Sequence, residues 1–248
     1  MRRILYAGDS SLTDAASYLG GVLTHHGLRF DYVPSGQRLR AADVKGYGLY
    51  ILSDYPAANL DRGAAAGIMK AVAGGAGLLM IGGWASYHGK GGNWDRSPLA
   101  EALPVRISSR DDRVNSAHPC LVEKVCDHPI VDGLPLDRPP GVGGYNRARV
   151  KAGAMLILAA RHVDVRFGKA RQVTATKGDA APLLVVGQYG AGRTAAFTSD
   201  VAPHWVGGLV DWGDKRVKAR AKGGSGVEVG GLYAEFFARL AKWTADED

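Results

Sequence analysis

Residues 78–94 read LLMIGGWASYHGKGGNW. An apolar run, Leu78–Ile81, passes directly into a loop with five glycines, two tryptophans, a serine, a histidine and a lysine. A short continuous apolar run bounded by glycine predicts a strand buried on both faces, as in a parallel sheet covered by helices. The loop behind it admits three readings: a phosphate cradle, a nucleophile turn, or a connection whose glycines serve only the backbone.

The neighbouring segments support the sheet. RRILYAG at 2–8 predicts a first strand, with the polar loop GDSSLTD after it; Thr13 or Asp14 would cap a helix running to about His26. Gly27 stops that helix, and strands are expected near Leu28–Val33 and Tyr47–Leu52. A helix is expected from about Asp61 to Ala73, ended by a glycine pair. The middle is less regular: a short helix at 97–103, a strand at 121–125 and a turn-rich connection at 135–145, then strands at 154–160 and 162–167. Gly190-Ala191-Gly192 between two apolar runs predicts a C-terminal β-hairpin. Apolar positions 232, 233, 236, 237, 240 and 243 predict a terminal amphipathic helix. This is an α/β architecture: a mostly parallel central sheet with helices on both faces. Residues 1–248 are expected to form one such domain.

With 248 residues, 46% hydrophobic and 22% charged, the chain has an ordinary globular composition. No apolar run reaches the ~18 residues of a membrane span, and Gly8 and Asp9 interrupt the first run too early for a signal-peptide core. A cytoplasmic protein without membrane contact is expected. The net charge of +7 is mostly local, because KRVKARAK at 215–222 carries five basic residues and no acidic one. With GGSG following, the segment at about 213–231 is expected as a solvated, Gly-rich loop insertion. A further reading has this run recruit nucleic acid or an acidic partner, with strongly salt-dependent binding. No aromatic residue interleaves it, so single-strand binding gains no support, and nucleic acid is not expected as a partner. His118, Cys120, Cys126 and His128 have the residue types of a metal site. An extended LVEKV between the cysteines would hold them roughly 20 Å apart, too far for one zinc or a disulfide. No metal and no cofactor are expected.

The phosphate readings fail on spacing. Gly83 and Gly89 are separated by five residues rather than the four of a Walker A loop, and Lys90 is followed by Gly91 rather than a hydroxyl residue. The first strand is followed by a single glycine, not a dinucleotide fingerprint. A nucleophile turn fits the position better, since ligands of such sheets bind beyond the carboxyl ends of the strands. Asp9, Ser10, Ser53, Asp54, Ser86, His88, Asp200 and His204 all fall at expected strand ends.

GLLMIGGWASYHG (77–89), DDRV (111–114), DHPIVDGLP (127–135), GYNR (144–147) and PLLVVGQYGAGRTAAFTSDVAPHW (182–205) resemble the glutamine amidotransferase-like family, relatives of class I glutamine amidotransferases and of ThuA-type trehalose-utilisation proteins. The resemblance runs in order from about Arg3 to Trp212, then the terminal helix. It implies a flavodoxin-like, class I glutamine amidotransferase-like sandwich, which agrees with the α/β order of strands and helices read above. It also implies that a glutaminase would carry a cysteine in G-x-C-x-G at the turn after residues 78–81. Gly82-Gly83-Trp84-Ala85-Ser86 stands there, with Trp84 at the cysteine position, and an indole is no nucleophile. The family's His-Pro-Glu triplet is absent as well.

Two functional readings follow. In the first, the chain lacks glutaminase activity and binds a small polar ligand, a sugar or an acid. Trp84, Tyr87, Trp94, Tyr145 and Trp205 would supply flat surfaces; Asp9, Ser10, Asp54, Asn146, Arg147, Asp200 and His204 would supply hydrogen bonds, with Gly83 allowing close approach. Each aromatic taken alone is more often a packing residue; their concentration around the glycine loop and the Pro-His-Trp segment is what supports the binding reading. In the second, the chain is a hydrolase with Ser86 as nucleophile, His204 as base and Asp200 orienting it, an order shared with α/β-hydrolases. The competing reading of Ser86 is a loop hydroxyl bonded to backbone. A homo-oligomer is expected from the general frequency of such assemblies.

Overall fold

The computed structural model describes residues 3–169 and 172–247. The N-terminal end of the expected first strand lies outside them.

Chain order within the described residues is β1 (Ile4–Gly8), α1 (Ala16–His25), β2 (Phe30–Val33), β3 (Leu49–Ser53), α2 (Arg62–Ala73), β4 (Gly77–Ile81), α3 (Leu99–Ala102), β5 (Val105–Ile107), β6 (Arg113–Lys124), β7 (Gly141–Asn146), β8 (Ala148–Val150), β9 (Met155–Phe167), β10 (Val173–Tyr189), β11 (Gly192–Phe197), α4 (Pro203–Val206), β12 (Arg216–Arg220), β13 (Gly226–Gly230) and α5 (Gly231–Thr244).

Nine strands form one sheet in the order β2-β1-β3-β4-β11-β10-β9-β6-β7. The first five are mutually parallel; from β11 to β7 the pairings are antiparallel. Seven strands therefore run one way, and only β10 and β6 oppose them. The strands β1, β3 and β4 are buried at every position. Alternate residues feed two cores. Ile4, Tyr6, Ile51, Leu79 and Ile81 pack with α1 and α5 on one face. Leu5, Ala7, Tyr50, Leu52, Leu78 and Met80 pack with α2 and α3 on the other. The C-terminal hairpin joins β10 to β11 as expected, and Phe197 in β11 meets Phe236 and Phe237 of α5. Among the described residues, no helix is long and apolar enough to cross a membrane.

Four local expectations are corrected. The helix after β1 starts at Ala16 with no side-chain cap; Thr13 and Asp14 lie in the preceding turn, and the Ala16 N–H donates to the Asp9 carbonyl at 2.9 Å. At 135–145, residues 141–145 are part of β7. Its glycines serve packing, since a Cβ on Gly144 would stand 2.5 Å from the Trp205 ring. The strands expected at 154–160 and 162–167 are one strand, β9. Residues 213–231 are not a flexible loop. They hold the β12–β13 hairpin, whose Ala219, Ala221 and Val227 lie against Gly20 and Gly21 of α1. The missed signal was alternation: Val217, Ala219 and Ala221 fall between the basic residues with a strand's period of two.

Candidate functional site

The chain turns back between β1 and β3, with β2 on one side and β3 on the other. A crevice is expected outside the carboxyl ends of the strands at such a reversal. Asp9 follows β1 and Asp54 follows β3, both with positive φ (52° and 44°); Asp200 comes three residues after β11. Asp9 is 1% exposed and accepts the Tyr6 hydroxyl through Oδ2. Its Oδ1 and the Ser53 hydroxyl are buried without a well-formed hydrogen bond, although Ser53 lies close enough to favour the Asp9 anion. Asp200 Oδ1 accepts from the N–H groups of Val201 (2.6 Å) and Ala202 (3.3 Å).

The three carboxyls feel one another. Burial, then the Asp200 charge, raises the pKa of Asp9 well above the ordinary range. Burial, then the Asp54 charge, pushes Asp200 up to about 7. Burial also raises Asp54, against the opposing pull of the Ala85 and Trp84 N–H groups and of His204. Like charges held together in a poorly solvated place resist simultaneous ionisation.

The turn after β4 sits beside this cluster and is held by a closed set of hydrogen bonds. Gly83 N–H donates to Asn146 Oδ1 (3.0 Å), and Asn146 Nδ2 donates back to the Gly83 carbonyl (3.2 Å). The Trp84 and Ala85 N–H groups are directed at the Asp54 carboxylate. Gly83 has φ 149°, and a Cβ there would stand 2.7 Å from Asp54 Oδ1, so glycine is required for the close approach. Asp112, which sequence reasoning did not single out, completes the network. It accepts from His88 N–H (2.9 Å), Gly89 N–H (3.0 Å) and Asn146 Nδ2 (2.8 Å). Its only signal was its place in the DDRV phrase.

The expected site residues separate into three groups. Asp9, Asp54, Gly83, Asp200 and Trp84 gather at these strand ends, and of the five only Trp84 is well exposed. Trp84 is 42% exposed, with the Arg113 guanidinium 4.5 Å from its ring centre and the His204 ring edge-on at 6.2 Å. Ser10 is exposed on the adjoining turn, where its N–H donates to Ser35.

A second group is interior. Tyr87 is fully buried, its hydroxyl against the Met80 and Phe197 carbonyls. Trp94 is also fully buried and donates to the Tyr55 carbonyl. Trp205 is 1% exposed and donates to Asn115. These three rings pack rather than present a face. Asn146 is buried too and acts as the pivot of the turn. Ser86 is 1% exposed; its hydroxyl donates to the Ile81 carbonyl (2.5 Å) and accepts from Asp54 N–H (2.9 Å). Both functions of that hydroxyl are used by backbone, and no imidazole is hydrogen-bonded to it among the described residues. The Ser86–His204–Asp200 relay is not assembled. The third group, Tyr145 and Arg147, lines a separate groove.

This arrangement defines a class I amidotransferase-like sandwich whose nucleophile turn carries an indole. The chain belongs to the family described as "Putative glutamine amidotransferase", whose model matches residues 53–218. A cytoplasmic protein of Salmonella typhimurium has a similar structure, with a TM-score of 0.74 at 24% identity over 97% of this chain and 98% of that one. A second, from Salmonella typhimurium LT2, gives 0.73 at 24% over 98% and 99%. A ThuA-like protein of Parabacteroides merdae gives 0.61 at 15% over 98% and 90%. At these identities the similarity speaks for the fold alone. No curated protein matches the chain.

Proposed function

We propose that this protein does not hydrolyse glutamine and binds a small neutral polyhydroxylated ligand, a sugar, at the carboxyl edge of its parallel strands. The observation that carries this reading is the closed turn after β4. Thiolate glutaminases need a nucleophile there and free N–H groups for the oxyanion. Here the position holds Trp84, and the Gly83, Trp84 and Ala85 N–H groups are directed at Asn146 and Asp54. Between a sugar and an acid, the electrostatics favour the sugar. A carboxyl cluster whose ionisation is already opposed disfavours a further anion beside it, but its members hydrogen-bond to hydroxyls, and an exposed indole suits the apolar face of a pyranose. Two unpaired cysteines fit a cytoplasmic setting.

The test pairs an ammonia-release assay on glutamine with a tryptophan-fluorescence titration against neutral mono- and disaccharides. No ammonia and a saturable fluorescence change are expected, the change lost in Trp84→Phe and weakened about tenfold in Asp54→Asn. Ammonia release by the purified chain would overturn the reading. So would saturation by carboxylic acids with none by neutral sugars.

A further inference from the structure

A groove of about 1060 Å³ lies on the other side of β7 from Asn146, and neither the family nor the crevice accounts for it. One wall is the two-stranded β5–β8 sheet. Arg106 and Arg149 are directly paired across its strands, and Arg147 precedes β8 in the short link from β7. All three line the groove. Directly opposed residues of a strand pair share a face, so Arg106 and Arg149 point to one side, and Arg147 reaches the same groove from the adjoining link. Neither Arg106 nor Arg149 has a carboxylate partner among the described residues. Like charges directly opposite across a strand pair disfavour the pairing unless an anion lies between them.

The other wall comes from β9 and β10, where Asp164 and Asp179 face the same space. Tyr145 and His162 join the two sides through a 2.7 Å hydrogen bond between the phenol and Nε2. Three forked cations suit a tetrahedral dianion, which takes several paired N–H donors at once. The carboxylates and the phenol–imidazole pair suit hydroxyl groups. The volume exceeds what a bare phosphate needs and matches a small-molecule site.

We propose that this groove is a second binding site, taking the phosphate monoester of a small polyol, with the phosphate on Arg106, Arg147 and Arg149 and the hydroxyls toward Asp164 and Asp179. It is independent of the sugar crevice, whose charge is opposite.

The experiment is calorimetric titration of the full chain with glucose 6-phosphate, glucose and inorganic phosphate, at constant ionic strength set with sodium chloride. Saturable binding of glucose 6-phosphate is expected, tighter than that of inorganic phosphate. Arg106→Gln/Arg149→Gln should weaken it by about tenfold or more, and Arg149→Lys should not fully restore it, because the fork is lost. Both arginines are exposed, so the variants should keep the parent circular dichroism and melting temperature. Asp54→Asn, in the crevice, should leave this binding unchanged. No saturation by glucose 6-phosphate overturns the proposal. Binding that survives the double substitution overturns it too. So does equal affinity for inorganic phosphate that collapses with added salt, which marks simple ionic attraction.

Discussion

At the carboxyl ends of β1, β3 and β11 three carboxyls are sunk among strained turns, and almost every neighbouring donor is already used. Across β7, three arginines stand exposed, two on a short strand pair and one just before it, facing a ribbon that leaves the sheet. The first region is rigid because its polar groups are buried and must be satisfied within the protein. The second is solvated and leaves its cations available. Substitution in the crevice should therefore act on folding as much as on binding, whereas substitution in the groove should act on binding alone.

The strongest way to break that contrast is Gly8→Ala. Gly8 has φ 129°, and a Cβ would fall 1.5 Å from the Ser53 carbonyl oxygen. The β1–β3 pairing has to part to admit it. A loss of about 4 kcal/mol or more is expected in urea denaturation, enough to unfold a typical domain of marginal stability. A loss below about 1 kcal/mol would show that the strand ends yield, and the rigid half of the contrast would fail.

Next in size is the pH dependence set by Asp200. Its folded pKa of about 7 lies above its ordinary value of 3.8, so between those pH values the native state holds a proton that the unfolded chain has released. Stability should fall as pH rises through that window and level off above it, by an amount on the order of a few kcal/mol. Asp200→Asn keeps an acceptor for Val201 and Ala202 and removes the titration. Melting curves from pH 4 to 8 should be flatter for the variant. Parallel curves for the two proteins would mean that Asp200 is ionised in the native state throughout.

Asn146→Ala comes third. It takes the side-chain partner from the Gly83 N–H and carbonyl in a buried place and removes one of the two donors to Asp112 Oδ1, which keeps Gly89 N–H. About 2 kcal/mol is the expected cost, with a fluorescence shift from Trp84 as the turn loosens. An unchanged melting temperature would show that water replaces the amide, and the turn would then be less closed than described.

How much of this was legible in the sequence follows the same division. The continuous apolar runs at β1, β3 and β4 can belong only to doubly covered strands, and the spacing in 232–243 only to a helix face, so the sandwich was readable. Asp9, Asp54 and Asp200 were readable as strand-end residues for the same reason. The roles of Ser86, Tyr87 and Trp205 were not, because local spacing places a residue on a loop without saying which way its side chain turns. Asp112 is a long-range partner of Gly89 and Asn146, and nothing near it in the chain shows that. The groove was missed because β5 and β8 pair across more than forty residues.

The smallest effect is expected at the basic hairpin, which tests whether exposed cations here are as dispensable to folding as those of the groove. Lys218 meets Glu228 across the β12–β13 pair at 3.3 Å, but its side chain is 78% exposed. Ion pairs in that position contribute about 0–1 kcal/mol, because solvent screens them and ordering the long side chain opposes them. Val229, on the neighbouring strand, is fully buried against the core that includes Tyr233 and Phe237. Lys218→Ala should change stability by less than about 0.5 kcal/mol, whereas Val229→Ala should cost about 2 kcal/mol as its methyl groups leave a cavity. If the hairpin were a free basic arm, the order would reverse. The lysine change would then abolish salt-dependent retention on heparin, and the valine change would leave the melting temperature where it was. Alternation of the kind seen in 216–221 makes the first outcome the expected one: the charges face water because the small apolar residues between them face α1.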